Sequence, residues 1–551
     1  MKALMRAIPG AGVTGSRDEP EKRNSPVAGL GTWARHFTSS ADVPTCPRRP
    51  QRPITKRSGH ELPYSTQQLG QMGSHPRPGP SPAPAVRRWD QPSPTRRKRT
   101  RDRPLNIAMI CDYFFPKVGG VESHIYSLAE ALAQLDHKVI IITHAYPPRS
   151  GIRYLPYGLK VYHIPVQPLP PTHVHATLPG FFTALPYIRN ILIREQIDVL
   201  HAHASLSAEG MEGIFHARTL GVKAVFTDHS LFGLGNMAEI WGNKMLKGCL
   251  SDVEAVICVS HTGKENTVLR GALNPSIVHV IPNAVVASHF KPAEPPAPVP
   301  ETLTIVCLNR LVYRKGIDLL IAALPRVCSM HPDVRVLIGG DGPKIVELDQ
   351  MLDKHQALLR DRVELLGAVR NGKDVRDLLS RAQIFLNPSL TEAFGIGILE
   401  AACAGLFVVS TRVGGVPEVL PPGLVEFSEP DVEDLIRAIS RAIHHVRSGK
   451  HDPLAAHAQL REIYSWPDVA ERTEKVYYDA LEVPEVPVVE RLRRYYGTGL
   501  IFGKMLCIII CVDYILLAFL DFFFPREDID LVPKFELSRW QDVSRPMECS
   551  T

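Results

Sequence analysis

The ten cysteines of the chain lack the spacings that serve metal sites or a disulfide framework. None forms a C-x-x-C pair, and none clusters with histidine in a metal-like pattern. Most of them lie in apolar runs such as 256–259, where a reduced cysteine packs as a small hydrophobic residue. The sequence therefore predicts a protein whose folded part faces a reducing compartment.

The chain also lacks an apolar start and a strong charge in its folded part. Residues 1–9 do not contain the apolar core of a cleaved secretory signal, so we expect any membrane targeting to come from elsewhere. The net charge of the 551 residues is +6, yet residues 1–103 alone hold 20 Lys and Arg against 7 Asp and Glu. The remainder is net acidic, and we expect no nucleic-acid partner.

Residues 1–103 show neither helical nor strand periodicity. They contain 15 of the 48 prolines and a basic run at 96–99. Such a segment buries too little apolar area to offset its conformational entropy, so we predict a disordered, basic, proline-rich tail.

From residue 104 onward, apolar runs of strand length alternate with amphipathic segments. The first set of runs lies at 107–111, 139–143, 199–200, 224–226, 253–259 and 278–281, and the second at 303–308, 334–338, 363–366, 384–386 and 407–409. Continuous apolar strands between helices are typical of parallel sheets covered on both faces. We therefore predict two Rossmann-like α/β domains, 104–290 and 302–480, joined by a proline-rich linker at 291–301. The cleft between them is the expected ligand site.

The C-terminal part contains one long apolar run. Residues 504–524 match the thickness of a bilayer core, with a basic juxtamembrane segment at 481–503 before them. The charge asymmetry predicts a membrane span with the large N-terminal part cytoplasmic and residues 525–551 lumenal. Because Asp513 falls inside the run, a buried core helix or an interfacial hairpin is the alternative. We also expect the first domain to present Phe181, Phe182 and Arg189 to the bilayer.

Three motifs carry residue types suited to binding a phosphorylated ligand. Gly119 and Gly120 form a glycine turn before a helix whose N-terminus offers free N–H groups. Arg310 and Lys315 follow the first strand of the second domain, where two cations would hold a diphosphate. Glu392 and Glu400 flank the start of an apolar helix, which has little reason to carry an inward carboxylate unless it binds a hydroxyl or a cation. A structural turn, a solvated basic turn and solvent-exposed glutamates are the alternatives.

Together with Gly339–Pro343 and Gly414–Glu418, these motifs resemble a retaining, nucleotide-sugar-dependent glycosyltransferase of the two-Rossmann-domain (GT-B, GT4-like) type. The resemblance covers about residues 104–480. More narrowly, the segments 121–126, 227–233, 264–270 and 310–318 resemble the PIG-A family, the catalytic subunits of phosphatidylinositol N-acetylglucosaminyltransferase.

This resemblance implies transfer of GlcNAc from UDP-GlcNAc to phosphatidylinositol, the first step of GPI-anchor biosynthesis. It implies an endoplasmic reticulum membrane location, with cytoplasmic catalytic domains and further subunits of a transferase complex as partners. It also implies a role for each matched residue: Glu392 at the donor sugar, Arg310 and Lys315 at the diphosphate, Glu400 at the ribose hydroxyls, Gly119, Gly120, Phe394 and Gly395 around the donor, and His229 beside the acceptor.

We expect no metal and no cofactor beyond the donor substrate. The departing UDP would be stabilised by Arg310, Lys315 and the helix dipole near Gly395. Residues 528–530 form a D-x-D that we discount because it lies beyond the apolar run. His201 and His203 are weaker site candidates, since such a pair is more often structural.

Two other hypotheses stay open. One is a related retaining glycosyltransferase with a different UDP- or GDP-sugar, or with another lipid or glycan acceptor, since clefts of this class differ in a few sugar contacts. The other is a non-catalytic GT-B scaffold, against which the four charged groups Arg310, Lys315, Glu392 and Glu400 argue.

Overall fold

The computed structural model describes residues 103–117, 119–146, 149–166, 180, 182–233, 237–294, 298–369 and 372–533. Residues 1–102 of the predicted tail, residues 534–551 of the predicted lumenal segment, Phe181 and part of the linker, 295–297, lie outside the described residues.

The first of two sheets has eight strands in the order β3-β4-β2-β1-β5-β6-β7-β8. All neighbouring strands are parallel except β3 and β4. The strands are β1 (Asn106–Ile110), β2 (Lys138–His144), β3 (Gly151–Tyr154), β4 (Lys160–Ile164), β5 (Val199–His203), β6 (Lys223–Asp228), β7 (Ala255–Cys258) and β8 (Val278–Val280). The apolar runs predict six of them and miss β3 and β4. β3 is exposed along its whole length, so it needs no apolar run to mark it.

The second sheet has six parallel strands in the order β11-β10-β9-β12-β13-β14. They are β9 (Leu303–Leu308), β10 (Val334–Gly339), β11 (Val363–Gly367), β12 (Ile384–Asn387), β13 (Phe407–Thr411) and β14 (Val425–Ser428). The sequence predicts all but β14, which is only partly buried. Two sheets that are parallel apart from the β3–β4 pair confirm the predicted α/β class.

Helices cover both sheets. They are α1 (Gly120–Ala133), α2 (Leu185–Arg194), α3 (Ala208–Thr219), α4 (Met237–Leu250), α5 (His261–Gly271), α6 (Ile317–Met330), α7 (Ile345–Lys354), α8 (Gln356–Leu359), α9 (Gly372–Leu379), α10 (Ile396–Cys403), α11 (Val432–Arg447), α12 (Pro453–Ile463), α13 (Trp466–Glu482), α14 (Val488–Tyr496) and α15 (Phe502–Phe523). α1 follows the predicted glycine turn, and one of its faces buries Ile125, Leu128 and Leu132.

Helix α13 lies within the predicted second domain, 302–480, but it packs against α1 and β6 of the first sheet. Tyr477 of α13 is fully buried, and its hydroxyl hydrogen-bonds to His201 of β5. The chain thus returns to the first sheet after completing the second.

Helix α15 corresponds to the apolar run predicted at 504–524. It has 22 residues and is long and apolar enough to cross a membrane by length and composition. It lies against α3 and α4, and only 28% of its most apolar window is buried. Arg189 of α2 does not face outward as predicted. It is 1% exposed because its guanidinium donates to the Asp521 carboxylate of α15. Phe182 is partly buried.

Candidate active site

The first residues of two helices, α1 beside the first sheet and α10 beside the second, meet in the cleft. A Cβ atom at Gly120, the first residue of α1, would lie 3.4 Å from Cδ1 of Ile396, the first residue of α10. Gly395 precedes α10 in the left-handed region at φ +88°, where a glycine is favoured. Because helix N-termini carry free N–H groups and partial positive charge, this juncture favours an anionic ligand.

The basic turn after β9 and the loop before α10 are joined by an ion pair. The Lys315 ammonium contacts Oε1 of Glu392, and the Ser389 hydroxyl donates to the same oxygen at 3.1 Å. The side chains of Lys315 and Glu392 are 17% and 14% exposed. Gly316 permits the close approach, since a Cβ there would overlap the Pro388 carbonyl oxygen. Two residues that the resemblance assigns to separate ligand groups are therefore joined directly to each other.

Arg310 is exposed, and its charge acts on the carboxyl group of Glu122 in α1, which packs on the first sheet. Burial raises the pKa of Glu122 in α1, and the positive charge of Arg310 acts in the opposite direction. Burial lowers the pKa of Arg314, and Arg310 lowers it further. Arg310 and Arg314, both exposed, thus add positive potential to the Lys315 side of the cleft.

Glu400 is the fifth residue of α10 and is partly buried. Burial raises the pKa of its carboxyl group to about 7. Its carboxyl group has no hydrogen-bond partner among the residues that the structure describes. A half-buried acid without a partner is suited to a ligand's hydroxyl groups.

Phe394 lies in the core rather than in the cleft. It is 2% exposed, and its ring packs edge-on against Tyr464 at 6.0 Å between centroids. This position leaves only its main chain for the predicted donor contact. The sequence could not separate the two roles, because a phenylalanine before a helix suits either.

His229 follows β6 and belongs to a cluster of imidazole rings. Its ring lies 4.6 Å from that of His124 and 5.6 Å from that of His203, measured between centroids. Burial lowers the pKa of His124 to about 4 and lowers the pKa values of His203 and His229 well below the usual value. All three rings are therefore neutral at pH 7.

The members of the cluster differ in their hydrogen bonds. His201, next to it, is satisfied by Tyr477 and Thr227, both at 2.6 Å, as expected for a structural residue. His124 Nδ1 pairs with Asn283 Oδ1 at 2.7 Å, but Nε2 of His124 and Nε2 of His203 are buried and have no hydrogen-bond partner among the described residues. One ring nitrogen from each of His124, His203 and His229 lies within 4.8 Å of the others, a geometry able to hold a metal ion. The sequence singles out His229 and His203 but assigns no role to His124, which packs under Trp466 of α13.

Residues of the Gly414–Glu418 motif hold the two sheets' loops together. The Glu418 carboxylate accepts hydrogen bonds from the main-chain N–H groups of His261 and Thr262 at the start of α5. Ser260 donates its hydroxyl to the Ala393 carbonyl at 2.7 Å, beside Glu392. A carboxylate at a helix N-terminus is stabilised there. The Ser260–Ala393 hydrogen bond, with that from the Gly415 N–H to the Glu392 carbonyl at 3.0 Å, positions the Glu392 loop across the cleft.

Comparisons with known proteins agree with this architecture. Residues 144–236 match the family model described as PIGA (GPI anchor biosynthesis), and residues 302–445 match the model for glycosyl transferases group 1. The gpi3 subunit of phosphatidylinositol N-acetylglucosaminyltransferase from Schizosaccharomyces pombe is 50% identical over 422 residues, covering 77% of this chain and 91% of the relative. The corresponding chain of the Arabidopsis thaliana enzyme is 49% identical over 439 residues, covering 80% and 96%.

Solved structures show the same fold at low identity. Sucrose-phosphate synthase from Thermosynechococcus elongatus superimposes with a TM-score of 0.56 at 20% identity, covering 68% of this chain and 98% of that chain. The predicted two-domain GT-B fold is thereby confirmed.

Proposed function

Because the chain belongs to the PIG-A/GPI3 family of phosphatidylinositol N-acetylglucosaminyltransferase subunits, we propose that it transfers GlcNAc from UDP-GlcNAc to phosphatidylinositol with retention of configuration. This reaction is the first step of GPI-anchor biosynthesis. The observation that carries the proposal for the site is that the starts of α1 and α10 approach each other, with Lys315 paired to Glu392 before α10 and Arg310 acting on Glu122 of α1.

The donor diphosphate binds where positive charge is concentrated. Arg310 and Lys315 contact its oxygens, and the N–H groups at the start of α10 add their partial charge. Gly119 and Gly120 let the main chain of α1 approach the same group. The Glu400 carboxylate accepts hydrogen bonds from the ribose hydroxyls. These supply the hydrogen bonds that water provides only in part at its half-buried position.

The Lys315–Glu392 ion pair prepares both groups for the reaction. When the diphosphate arrives, the Lys315 ammonium is shared between a phosphate oxygen and Glu392, and the carboxylate stays directed at the donor sugar near its reacting carbon. As the C1–O bond breaks, negative charge grows on UDP and is offset by Arg310, Lys315 and the α10 dipole. The acceptor hydroxyl attacks from the same face, and its proton passes to the departing phosphate oxygen.

In this front-face mechanism the protein has to position the substrates and stabilise charge, and it does not have to supply a strong base. It assigns no step to a metal ion, and His229 lines the acceptor side as a neutral hydrogen-bonding group. We propose that the catalytic sheets lie on the cytoplasmic side of the endoplasmic reticulum membrane. Further subunits of the transferase complex are the expected partners, as the names of the relatives indicate for those proteins.

The test is transfer of labelled GlcNAc from UDP-GlcNAc to phosphatidylinositol in microsomes from cells that lack their own enzyme. Wild type should label the lipid, and Glu392→Gln should not. Glu433→Gln is the matched control, because Glu433 also pairs with a basic side chain, Arg326, but on the exposed surface. No label with wild type, at equal expression, would favour another donor or acceptor. Equal label with Glu392→Gln would contradict the site assignment.

A further inference from the structure

A cavity of about 550 Å³ lies at the edge of the first sheet where β7 and β8 begin. The connections before these strands, 251–254 and 271–277, form part of its wall, together with the ends of α4 and α14. His229 and Ser260 of the cleft instead follow the carboxyl ends of β6 and β7, which are parallel. β6 alone has six residues and extends about 20 Å. The cavity is therefore separate from the cleft.

The two acidic residues in the wall of the cavity already have basic partners. Oδ2 of Asp252 lies 2.6 Å from Nε of Arg491, and Oε1 of Glu254 lies 2.7 Å from Nη1 of Arg218. Nζ of Lys223 is a second basic group near Glu254, at 3.6 Å. All five residues are buried. Because three bases meet two acids, the inner wall leaves no uncompensated negative charge that would repel an anion.

Three further cations line the outer part of the cavity. They are Lys247 in the last turn of α4 and two exposed arginines of α14, Arg493 and Arg494. Lys247 has no ion pair with any residue that the structure describes, and Arg494 comes no closer than 3.9 Å to Oδ1 of Asp252. Arg493 pairs with Glu490 on the surface at 3.3 Å. A helix end by itself favours one cation, whereas cations from two helices around one cavity favour a phosphate group.

The chain next to the cavity is apolar and exposed. α14 buries Arg491 and Tyr495 against the protein, and it ends at the exposed Tyr496. Leu500 and Ile501 follow and are 75% and 74% exposed. α15, which begins directly after them, is long and apolar enough to cross a membrane. A segment just before a membrane-crossing helix lies among the lipid headgroups, where basic and aromatic side chains are enriched.

We propose that this cavity binds the phosphate group of an anionic phospholipid of the membrane, in addition to the acceptor in the cleft. Lys247 of α4 and Arg494 of α14 contact the phosphate oxygens, and the acyl chains lie along Leu500 and Ile501. The apolar segment favours a lipid over free phosphate, which has no use for it. The bound lipid joins α4 to α14 and holds the first α/β unit at the membrane surface. The site uses no residue of the cleft, so it does not depend on which acceptor the cleft takes.

Thermal unfolding of the purified full chain in an uncharged detergent tests the site. Phosphatidic acid is the probe, because its headgroup is a bare phosphate. The unfolding midpoint should rise with phosphatidic acid, but not with phosphatidylcholine or inorganic phosphate at the same concentrations. The double variant Lys247→Gln and Arg494→Gln loses two charge-assisted contacts and should need about ten times more phosphatidic acid for the same rise. Arg335→Gln with Arg381→Gln removes two exposed partners of Glu364 and should respond as wild type does.

UDP binding distinguishes loss of the lipid site from loss of the fold. The double variant should bind UDP as wild type does, since neither residue belongs to the cleft. Arg494→Gln alone, at a side chain 40% exposed, is the milder variant and should shift the lipid response in the same direction. The proposal would be overturned by an equal lipid response of these variants and wild type, by an equal response of wild type to inorganic phosphate, or by no response of wild type to phosphatidic acid. None of these readouts needs sugar transfer, so they test the lipid site independently of the proposed function.

Discussion

Charged side chains lie among apolar ones both in the cleft and where α15 contacts the first α/β unit. Only in the contact of α15 do all of these side chains have a partner. Arg310 and Glu400 form no hydrogen bond or ion pair through their side chains with any residue that the structure describes. In contrast, Asp513 and Asp521 each meet a basic partner. Because an unpaired carboxyl group in a half-buried place such as that of Glu400 is costly, the cleft is suited to a ligand that supplies the missing contacts. In the helix contact both carboxylates already have a side-chain partner, Arg189 or His216, and the contact holds α15 on the first α/β unit.

The largest effect should come from removing a cation of the cleft. Lys315→Met deletes a group that offsets the leaving diphosphate and leaves Glu392 without its ion pair. We expect kcat/KM for GlcNAc transfer to fall about 10²–10³-fold, the usual effect of losing one electrostatic contact to a developing anion. Arg326→Met, which removes an exposed ion pair with Glu433, should change it less than twofold. Similar losses in the two variants would contradict the division between cleft and surface.

The next effect concerns stability at the helix contact. Asp521 pairs with Arg189, which is 1% exposed, and with Arg526, which is 46% exposed. Asp521→Asn leaves the buried guanidinium without its counter-charge and should cost about 3 kcal/mol. Arg526→Gln removes only the exposed pair and should cost less than about 1 kcal/mol. Thermal unfolding of the purified full chain measures both, and equal midpoints for the two variants would show that the buried pair adds nothing.

A smaller effect should follow the protonation of Glu400. Burial raises the pKa of this carboxyl group to about 7. If the ionised form holds the ribose, UDP binding displaces the proton, so affinity should fall as pH decreases below 7. The limit is about tenfold per pH unit. Isothermal titration with UDP between pH 5.5 and 8 checks this expectation.

The matched variant for this measurement is Glu400→Gln. It should bind UDP more weakly at pH 8 and lose the pH dependence below 7. A variant that retains the full slope would assign the titration to another group.

Local patterns account for the sheets but not for the contacts between distant residues. β9 begins and ends where its apolar run does, at Leu303 and Leu308, because a buried parallel strand is marked by its own residues. The Lys315–Glu392 pair joins residues 77 positions apart, and no local pattern encodes it. The place of α13 over His124 depends on the chain's return to the first sheet. For α15, length and apolarity were visible in the sequence, while the partners of Asp513 and Asp521 required the fold.

The smallest expected effect is that of metal removal. Ring nitrogens of His124, His203 and His229 lie within 4.8 Å of one another. Among the described residues, this cluster suggests the one alternative to catalysis by fixed cations, which is a bound metal ion. If Arg310, Lys315 and the α10 N-terminus supply the stabilisation, transfer activity should change less than twofold after treatment with EDTA and dialysis. His203→Asn should then be equally insensitive to chelation, whatever its own activity. A loss that Zn²⁺ restores in wild type but not in His203→Asn would instead place a metal ion among the imidazoles. The comparison between the two regions would then change, because the unpaired groups of the cleft would include metal ligands in addition to the charged groups that bind UDP.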